Sequence, residues 1–156
     1  MKPATSTNPP LENMVCFSVY AAGLAFNRLY RGLLEEFGLT YPQFLVLVAL
    51  HEKGPLKVGE LGEALYLESN TLTPLLKRME TMGLLSRQRD VKDERIVRIS
   101  VTKAGNKLTA EIGCIPPQVF EATQMKPKKI ASLTAKLNTL ASALREHTQS
   151  TQRSST

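Results

Sequence analysis

Tryptophan is missing from this 156-residue sequence, and the remaining aromatics are four tyrosines and five phenylalanines. Cysteine is equally sparse. Cys16 and Cys114 lie 98 positions apart, which provides neither a disulfide framework, nor a CxxC redox pair, nor a four-ligand zinc site. His51 and His147 add no ligand spacing, so no metal and no cofactor is expected. The longest apolar run, residues 44–50, falls far short of the roughly 20 residues that cross a bilayer. The opening MKPATSTNPPL holds three prolines and no stretch resembling a signal peptide, so residues 1–11 are expected to be a flexible arm. A protein of the reducing cytoplasm, with no membrane contact, is the expectation. The length suits one domain of roughly 100–200 residues and excludes a multidomain enzyme.

Basic charge is present in excess, and it is unevenly placed. The net charge is +6 and the sequence pI is near 9.5. Residues 1–68 net −2, 69–103 net +4, 104–125 net −1 and 126–156 net +5. A polyanion footprint on the central block is one reading, and a solvated, solubilising face is the other.

Apolar residues Val15, Val19, Ala22, Phe26, Leu29 and Leu33 recur at spacings of three and four, which predicts one long amphipathic helix over 12–37, stopped by Gly38. Tyr41 and Pro42 open a nearly all-apolar second helix that Gly54 and Pro55 end. A short third helix is expected over 57–66. Ser69, Asn70 and Thr71 are expected to cap a fourth, which Pro74 should force to begin within a turn before it. The buried face of that helix would be Leu72, Leu75, Leu76, Met79 and Met82. Beyond Gly83 the period shifts to two, giving strands over 85–89 and 95–101 around a loop at 90–94. Thr102 should cap a fifth helix that Pro116 and Pro117 break or kink. Pro127 should start a last helix to about Thr148, with a polar tail at 150–156.

Two helices joined by a tight turn, then an arginine-bearing hairpin, is the layout of a winged helix-turn-helix: a mainly α fold with a small β-hairpin wing. Such a fold reads double-stranded DNA. Ser69, Asn70, Thr71 and Thr73 are short donors and acceptors suited to base edges or phosphates, and Lys77 and Arg78 follow on the same helix. Arg95 is placed to enter a minor groove, while Arg87, Arg89, Lys92 and Arg98 are placed to neutralise phosphates. Taken singly, the first group reads equally well as a helix cap and the second as solubility. The first helix and the last, with Ile130, Leu133, Leu137, Leu140 and Leu144, carry surplus apolar faces that suit a homodimer interface.

Cys16 falls in the first turn of the first helix, where the amide dipole favours an anion such as a thiolate. Its apolar neighbours Val15, Phe17 and Val19 equally suit an inert core cysteine. Tyr20 lies one turn above Cys16 on the same face. Tyr30 is about 320° of rotation and roughly 21 Å of rise further on, so it faces the same way and reaches Cys16 only across an antiparallel partner helix.

The segment YLESNTLTPLLKRMETMGLLSRQRDVKDERIVRISVTKAG resembles the DNA-binding part of the MarR-family transcription regulators, including the wing pattern Asp93, Glu94, Arg95 and the closing Ile-Ser-Val-Thr-x-x-Gly. Over roughly residues 11–118, LENMVCFSVYAA, GLTYPQFLVLVAL, LYLESNTLTPLLKRME and DERIVRISVTKAG together resemble the organic-hydroperoxide-resistance repressors of that family. The resemblance implies a dimer through intertwined N- and C-terminal helices (12–37 and 104–149) within one domain over 12–149. Its DNA-binding lobes (55–103) would sit on a pseudo-palindromic operator. It implies Cys16 as the peroxide-sensing thiol, hydrogen-bonded by Tyr30 and Tyr41 of the other subunit. It leaves Cys114 either a resolving cysteine or a plain buried one.

The expectation is therefore a repressor, not an enzyme, that an organic hydroperoxide releases from DNA by oxidising Cys16. Two alternatives stand beside it. One is release by a small phenolic ligand with Cys16 incidental; the other is a thiol peroxidase, for which no arginine or threonine partner to Cys16 is evident in the sequence.

Overall fold

Thr40 and Gln43 decide where the first long helix gives way to the second. In the computed structural model, which describes residues 9–90, 93 and 95–153, helix α1 (Val15–Leu34) passes into a 3-10 turn (Glu35–Phe37). Gly38 ends that turn in the left-handed region, at φ 64°. Helix α2 (Tyr41–Lys53) then starts on a capping box, in which Gln43 Oε1 accepts from the Thr40 amide at 2.8 Å, with Pro42 in the first turn where no amide donor is needed. α1 with its 3-10 extension bends from α2 by 76°. The single helix expected over 12–37 is shorter than its spacing suggested. Extended backbone at Met14 (φ −87°, ψ 117°) separates a 3-10 turn, Leu11–Asn13, from a 20-residue α1.

Strand β1 (Leu56–Lys57) leads into α3 (Val58–Leu65), and α4 (Ser69–Thr81) follows. Strands β2 (Leu85–Arg89) and β3 (Val97–Val101) pair antiparallel, with Arg87 opposite Ile99, while β1 pairs antiparallel with the other edge of β3, Leu56 opposite Ile99. The wing is thus the outer part of a three-stranded sheet in the order β1-β3-β2. Among the described residues no single helix is long and apolar enough to cross a membrane.

Three expectations for α4 need correction. Glu68 is its N-cap, with no side-chain capping bond, so Ser69, Asn70 and Thr71 are already helical and do not cap it. The helix begins five residues before Pro74, more than one turn; the Thr71 and Leu72 amides both bond to the Glu68 carbonyl, and the missing Pro74 amide deprives only the exposed Asn70 of a helical donor. Met82 is 41% exposed, because it lies past the last turn as the C-cap, next to Gly83 at φ 73°.

The core of this part is mostly apolar, with Gln43 of α2 buried in it. Leu72, Leu76 and Met79 of α4 are buried together with Val46, Leu47 and Leu50 of α2, Leu61 of α3 and Ile99 of β3. Below it, Thr102 ties three segments: its hydroxyl donates to the Gly83 carbonyl at 2.6 Å and accepts from the Gly105 amide at 3.0 Å, and its own amide donates to the Leu84 carbonyl at 3.0 Å. It caps α5 (Lys103–Glu111) as its position in the sequence predicts. A Cβ on Gly105 would overlap the Leu84 carbonyl oxygen and stand 2.6 Å from Val101 Cγ1, so the helix packs here only with glycine.

α5 gives way to a 3-10 turn (Ile112–Cys114) before the prolines, and Pro116 and Pro117 sit in the first turn of α6 (Ile115–Ala122). α7 (Pro127–Arg153) runs five residues past Thr148 and takes 150–153 from the expected tail. The chain divides into two compact units, Met1–Ile115 and Pro116–Thr156, where one domain over 12–149 is the reading from sequence.

Candidate nucleic-acid interface and thiol site

The second helix of the pair is α4, and its first two turns present Ser69, Asn70, Thr71 and Thr73, all exposed, with Thr71 Oγ1 donating to Asn70 Oδ1 at 3.2 Å. Lys77 and Arg78 are exposed further along. Alternation puts Leu72, Leu76 and Met79 inward and leaves this polar face clear of the protein. Helix width and short polar side chains are what a major groove accepts.

On the wing the arginines divide into two kinds. Arg87 Nε donates to Glu80 Oε2 of α4 at 2.9 Å, and Arg98 Nε donates to Asp90 Oδ2 at 2.6 Å. The Asp90 carboxylate raises the Arg98 pKa above its ordinary value. Arg89 and Arg95 are exposed, and the Arg95 amide donates to Asp93 Oδ1 at 3.0 Å, a local turn that fixes the wing tip. Lys92 lies outside the described residues. Glu80 and Asp90 are site residues that reading for positive charge passed over. Glu80 stands seven residues before Arg87, on a different element, and no local spacing announces that pair.

Cys16 is the second residue of α1, free and exposed, and no side chain caps that helix end. Exposure removes the inert-core reading for this subunit. Tyr20 is 61% exposed, its ring 6.4 Å from that of Phe17. Tyr30 and Tyr41 come together at the far end of α1: their rings stack at 4.1 Å with 27° between planes, against Phe44 at 5.5 and 6.3 Å. Burial raises both phenol pKa values from the ordinary 10.0. The Tyr41 charge and polar contact raise Tyr30 further, whereas the contact with Tyr30 lowers Tyr41. Fourteen residues of helix separate Cys16 from Tyr30, so one subunit does not bring them together.

Cys114, at the end of the 3-10 turn, is also exposed, its thiol 3.4 Å from the Glu111 carbonyl. α1 exposes Val15, Val19, Leu24 and Phe26, and α7 exposes Leu133, Leu137 and Leu144. Among the described residues no group of three or more His, Cys, Asp or Glu is arranged to hold a metal ion.

Comparison with known proteins fits this geometry. Residues 28–112 match the transcriptional regulator SarA/Rot family. The chain is 44% identical over 142 residues to the HTH-type transcriptional regulator TtmR of Methylorubrum extorquens, covering 91% of this chain and 73% of that one. It is 40% identical over 136 residues to the organic hydroperoxide resistance transcriptional regulator of Bacillus subtilis, covering 87% and 92%. Among solved structures, AbfR of Staphylococcus epidermidis aligns with a TM-score of 0.70 at 34% identity, covering 87% of this chain and 94% of that one. AbfR has also been solved reduced and bound to DNA (TM-score 0.67) and in a disulfide form (0.58). The chain belongs to the SarA/Rot group of MarR-like winged-helix transcriptional regulators.

Proposed function

We propose that this protein is a homodimeric, DNA-binding repressor that senses organic hydroperoxides through Cys16 and then leaves a pseudo-palindromic operator. The observation that carries the reading is the placement of an exposed thiol and a stacked phenol pair at opposite ends of α1, on a helix with unpartnered apolar residues. Two such helices run antiparallel would bring the Cys16 of each subunit to Tyr30 and Tyr41 of the other. The phenols, protonated at neutral pH, would then donate to a thiolate without neutralising it. Their rings leave apolar surface for a lipophilic hydroperoxide.

The thiolate attacks the distal peroxide oxygen, the S–O bond forms as the O–O bond breaks, and the departing alkoxide takes a proton from solvent to leave as the alcohol, with Cys16 as a sulfenic acid. The sulfenic acid is bulkier than the thiolate and has lost its charge, so the phenol bonds weaken and the α1 pair that sets the spacing of the two lobes relaxes. Each lobe is read as covering one half-site. Ser69, Asn70, Thr71, Thr73, Lys77 and Arg78 meet the major groove, Arg95 positioned by Asp93 meets the minor groove, and Arg89 and Lys92 meet phosphates, while Arg87 and Arg98 are held by Glu80 and Asp90. Cys114, exposed and free, is assigned the role of resolving thiol.

No turnover is proposed. The nearest cation to Cys16 within α1 is Arg28, twelve residues on, too far along the helix to stabilise a leaving oxygen, so the protein is read as a sensor of the cytoplasm and not an enzyme. A gel shift with and without cumene hydroperoxide tests the function. Cys16→Ser should keep DNA binding and lose release; release that persists in Cys16→Ser overturns the sensing role.

A further inference from the structure

Gln43 is 2% exposed, yet only one of its polar groups is spent on the backbone: Oε1 takes the Thr40 amide, and Nε2 donates to Met82 Sδ at 3.7 Å. A thioether is a weak acceptor, and here it is the one that a buried amide uses. The bond joins two elements that matter separately. Gln43 lies two residues from Tyr41 on α2, and Met82 is the C-cap of α4, the helix read as entering the major groove.

The same methionine faces solvent. Of the four methionines in the described residues, Met79 is fully buried, Met14 and Met125 are partly covered, and Met82 is the exposed one, at 41%. Met82 is thus both the acceptor of the Gln43 amide and the methionine of the four most open to reagents.

We propose that Met82 is a second oxidation site of this protein, whose conversion to the sulfoxide breaks the Gln43–Met82 bond and loosens the tie of the carboxyl end of α4 to α2. The reagent class is an oxygen-donating two-electron oxidant, either hypochlorous acid or a hydroperoxide. With hypochlorous acid the thioether sulfur is oxidised by two electrons and gains one oxygen, the chlorine is reduced to chloride, and one proton is released. With a hydroperoxide the O–O bond breaks, sulfur keeps one oxygen and the alcohol departs.

Oxygen on the lone pair away from Gln43 withdraws density from sulfur and weakens it as an acceptor for the Gln43 amide. Oxygen on the inward side would draw that amide off sulfur and onto itself, in a bent S–O···H–N arrangement that replaces the present contact. Either product weakens or replaces the present contact. Unlike sulfenic acid at Cys16, the sulfoxide resists thiol reductants and is reversed by methionine sulfoxide reductase, so it would outlast the cysteine signal.

The effect on DNA rests on the repressor reading; the chemistry at Met82 does not. The protein is treated with limiting hypochlorous acid or cumene hydroperoxide in parallel, reduced with dithiothreitol, and digested, which places Met79 and Met82 in one tryptic peptide. Fragment spectra should show oxygen on Met82 several-fold ahead of Met79, and the Gln43 side-chain amide resonances should shift. DNA affinity should stay about five- to tenfold lower after dithiothreitol and recover with sulfoxide reductase. Met82→Leu should start at the lowered affinity and show no further loss that dithiothreitol fails to reverse.

Equal oxidation of Met79 and Met82, or unchanged Gln43 resonances, overturns the site. So does a Met82→Leu protein that loses affinity as the natural chain does. Absence of DNA binding by the reduced protein overturns the repressor reading alone, because the mass and resonance changes at Met82 and Gln43 are read without DNA.

Discussion

Tyr30 of α1 and Tyr41 of α2 stack at 4.1 Å across the bend between the two helices. Both phenols are held in their protonated form, and the direction of their pKa shifts fixes a pH dependence. Below about pH 10 they are neutral in the folded and the unfolded chain, so the pair adds no slope there. Because the folded values are the higher ones, the unfolded chain sheds its protons first as the pH climbs past 10, and stability declines from that point through the folded values. Urea midpoints of the natural chain should therefore fall more steeply as the pH rises above 10 than those of Tyr30→Phe/Tyr41→Phe. Parallel declines in the two proteins would contradict the assigned shifts.

The same pair is expected to act on the thiol of the other subunit. Tyr30→Phe/Tyr41→Phe keeps the rings and removes both hydroxyls, so DNA binding should remain while the rate of Cys16 oxidation by cumene hydroperoxide falls at least about tenfold, a cost of roughly 1.4 kcal/mol in transition-state stabilisation. Stopped-flow or thiol-trapping kinetics read this directly, and an unchanged rate would remove the phenols from the mechanism.

Glu80 and Asp90 change how many cations the wing can offer. With Arg87 engaged by Glu80, Glu80→Gln should free a guanidinium and steepen the dependence of log affinity on log salt by about 0.9 per lobe, if Arg87 then meets a phosphate. Filter binding across a salt series measures the slope. A slope that stays the same places Arg87 away from the backbone.

Gly105 admits no side chain. Gly105→Ala forces a methyl group into the Leu84 carbonyl and Val101, and should lower unfolding stability by about 1–3 kcal/mol in a urea titration. A loss under about 0.5 kcal/mol would mean that the α5 amino end shifts freely, against its ties to Thr102.

Val19, 43% exposed on α1, tests the dimer separately from the fold. Val19→Asp should leave the far-UV spectrum intact, yield a monomer in sedimentation, and weaken operator binding about 100-fold as the second half-site is lost. A dimer that survives the charge moves the interface elsewhere.

Much of this was legible before any coordinates. Gly38, Gly54 and Gly83 punctuate the helices where expected, and Thr102 caps α5. Local signals failed where distant partners decide. β1 has two residues, too few to show alternation, and exists because β3 offers an edge. Pro74 sits deeper in α4 than amide bookkeeping suggests, and the residue whose carbonyl it strands, Asn70, is an exposed one. Ser69, Asn70 and Thr71 look like a cap but belong to the helix, and Glu68, a poorer capping residue, stands in that place. Gln43 reads as a lone polar residue in an apolar helix; its reasons, Thr40 and Met82, lie three and 39 residues away. The stacking of Tyr30 on Tyr41 depended on a 76° bend that spacing along one helix does not encode.

One hydroxyl group, that of Thr102, is bonded to Gly83 just past α4 and to Gly105 within α5. Because the Leu84 carbonyl just before β2 takes the Thr102 amide as well, one residue pins the end of α4, the base of the wing and the start of α5 to one another, and a rotation of α5 would be carried to the hairpin that bears Arg95.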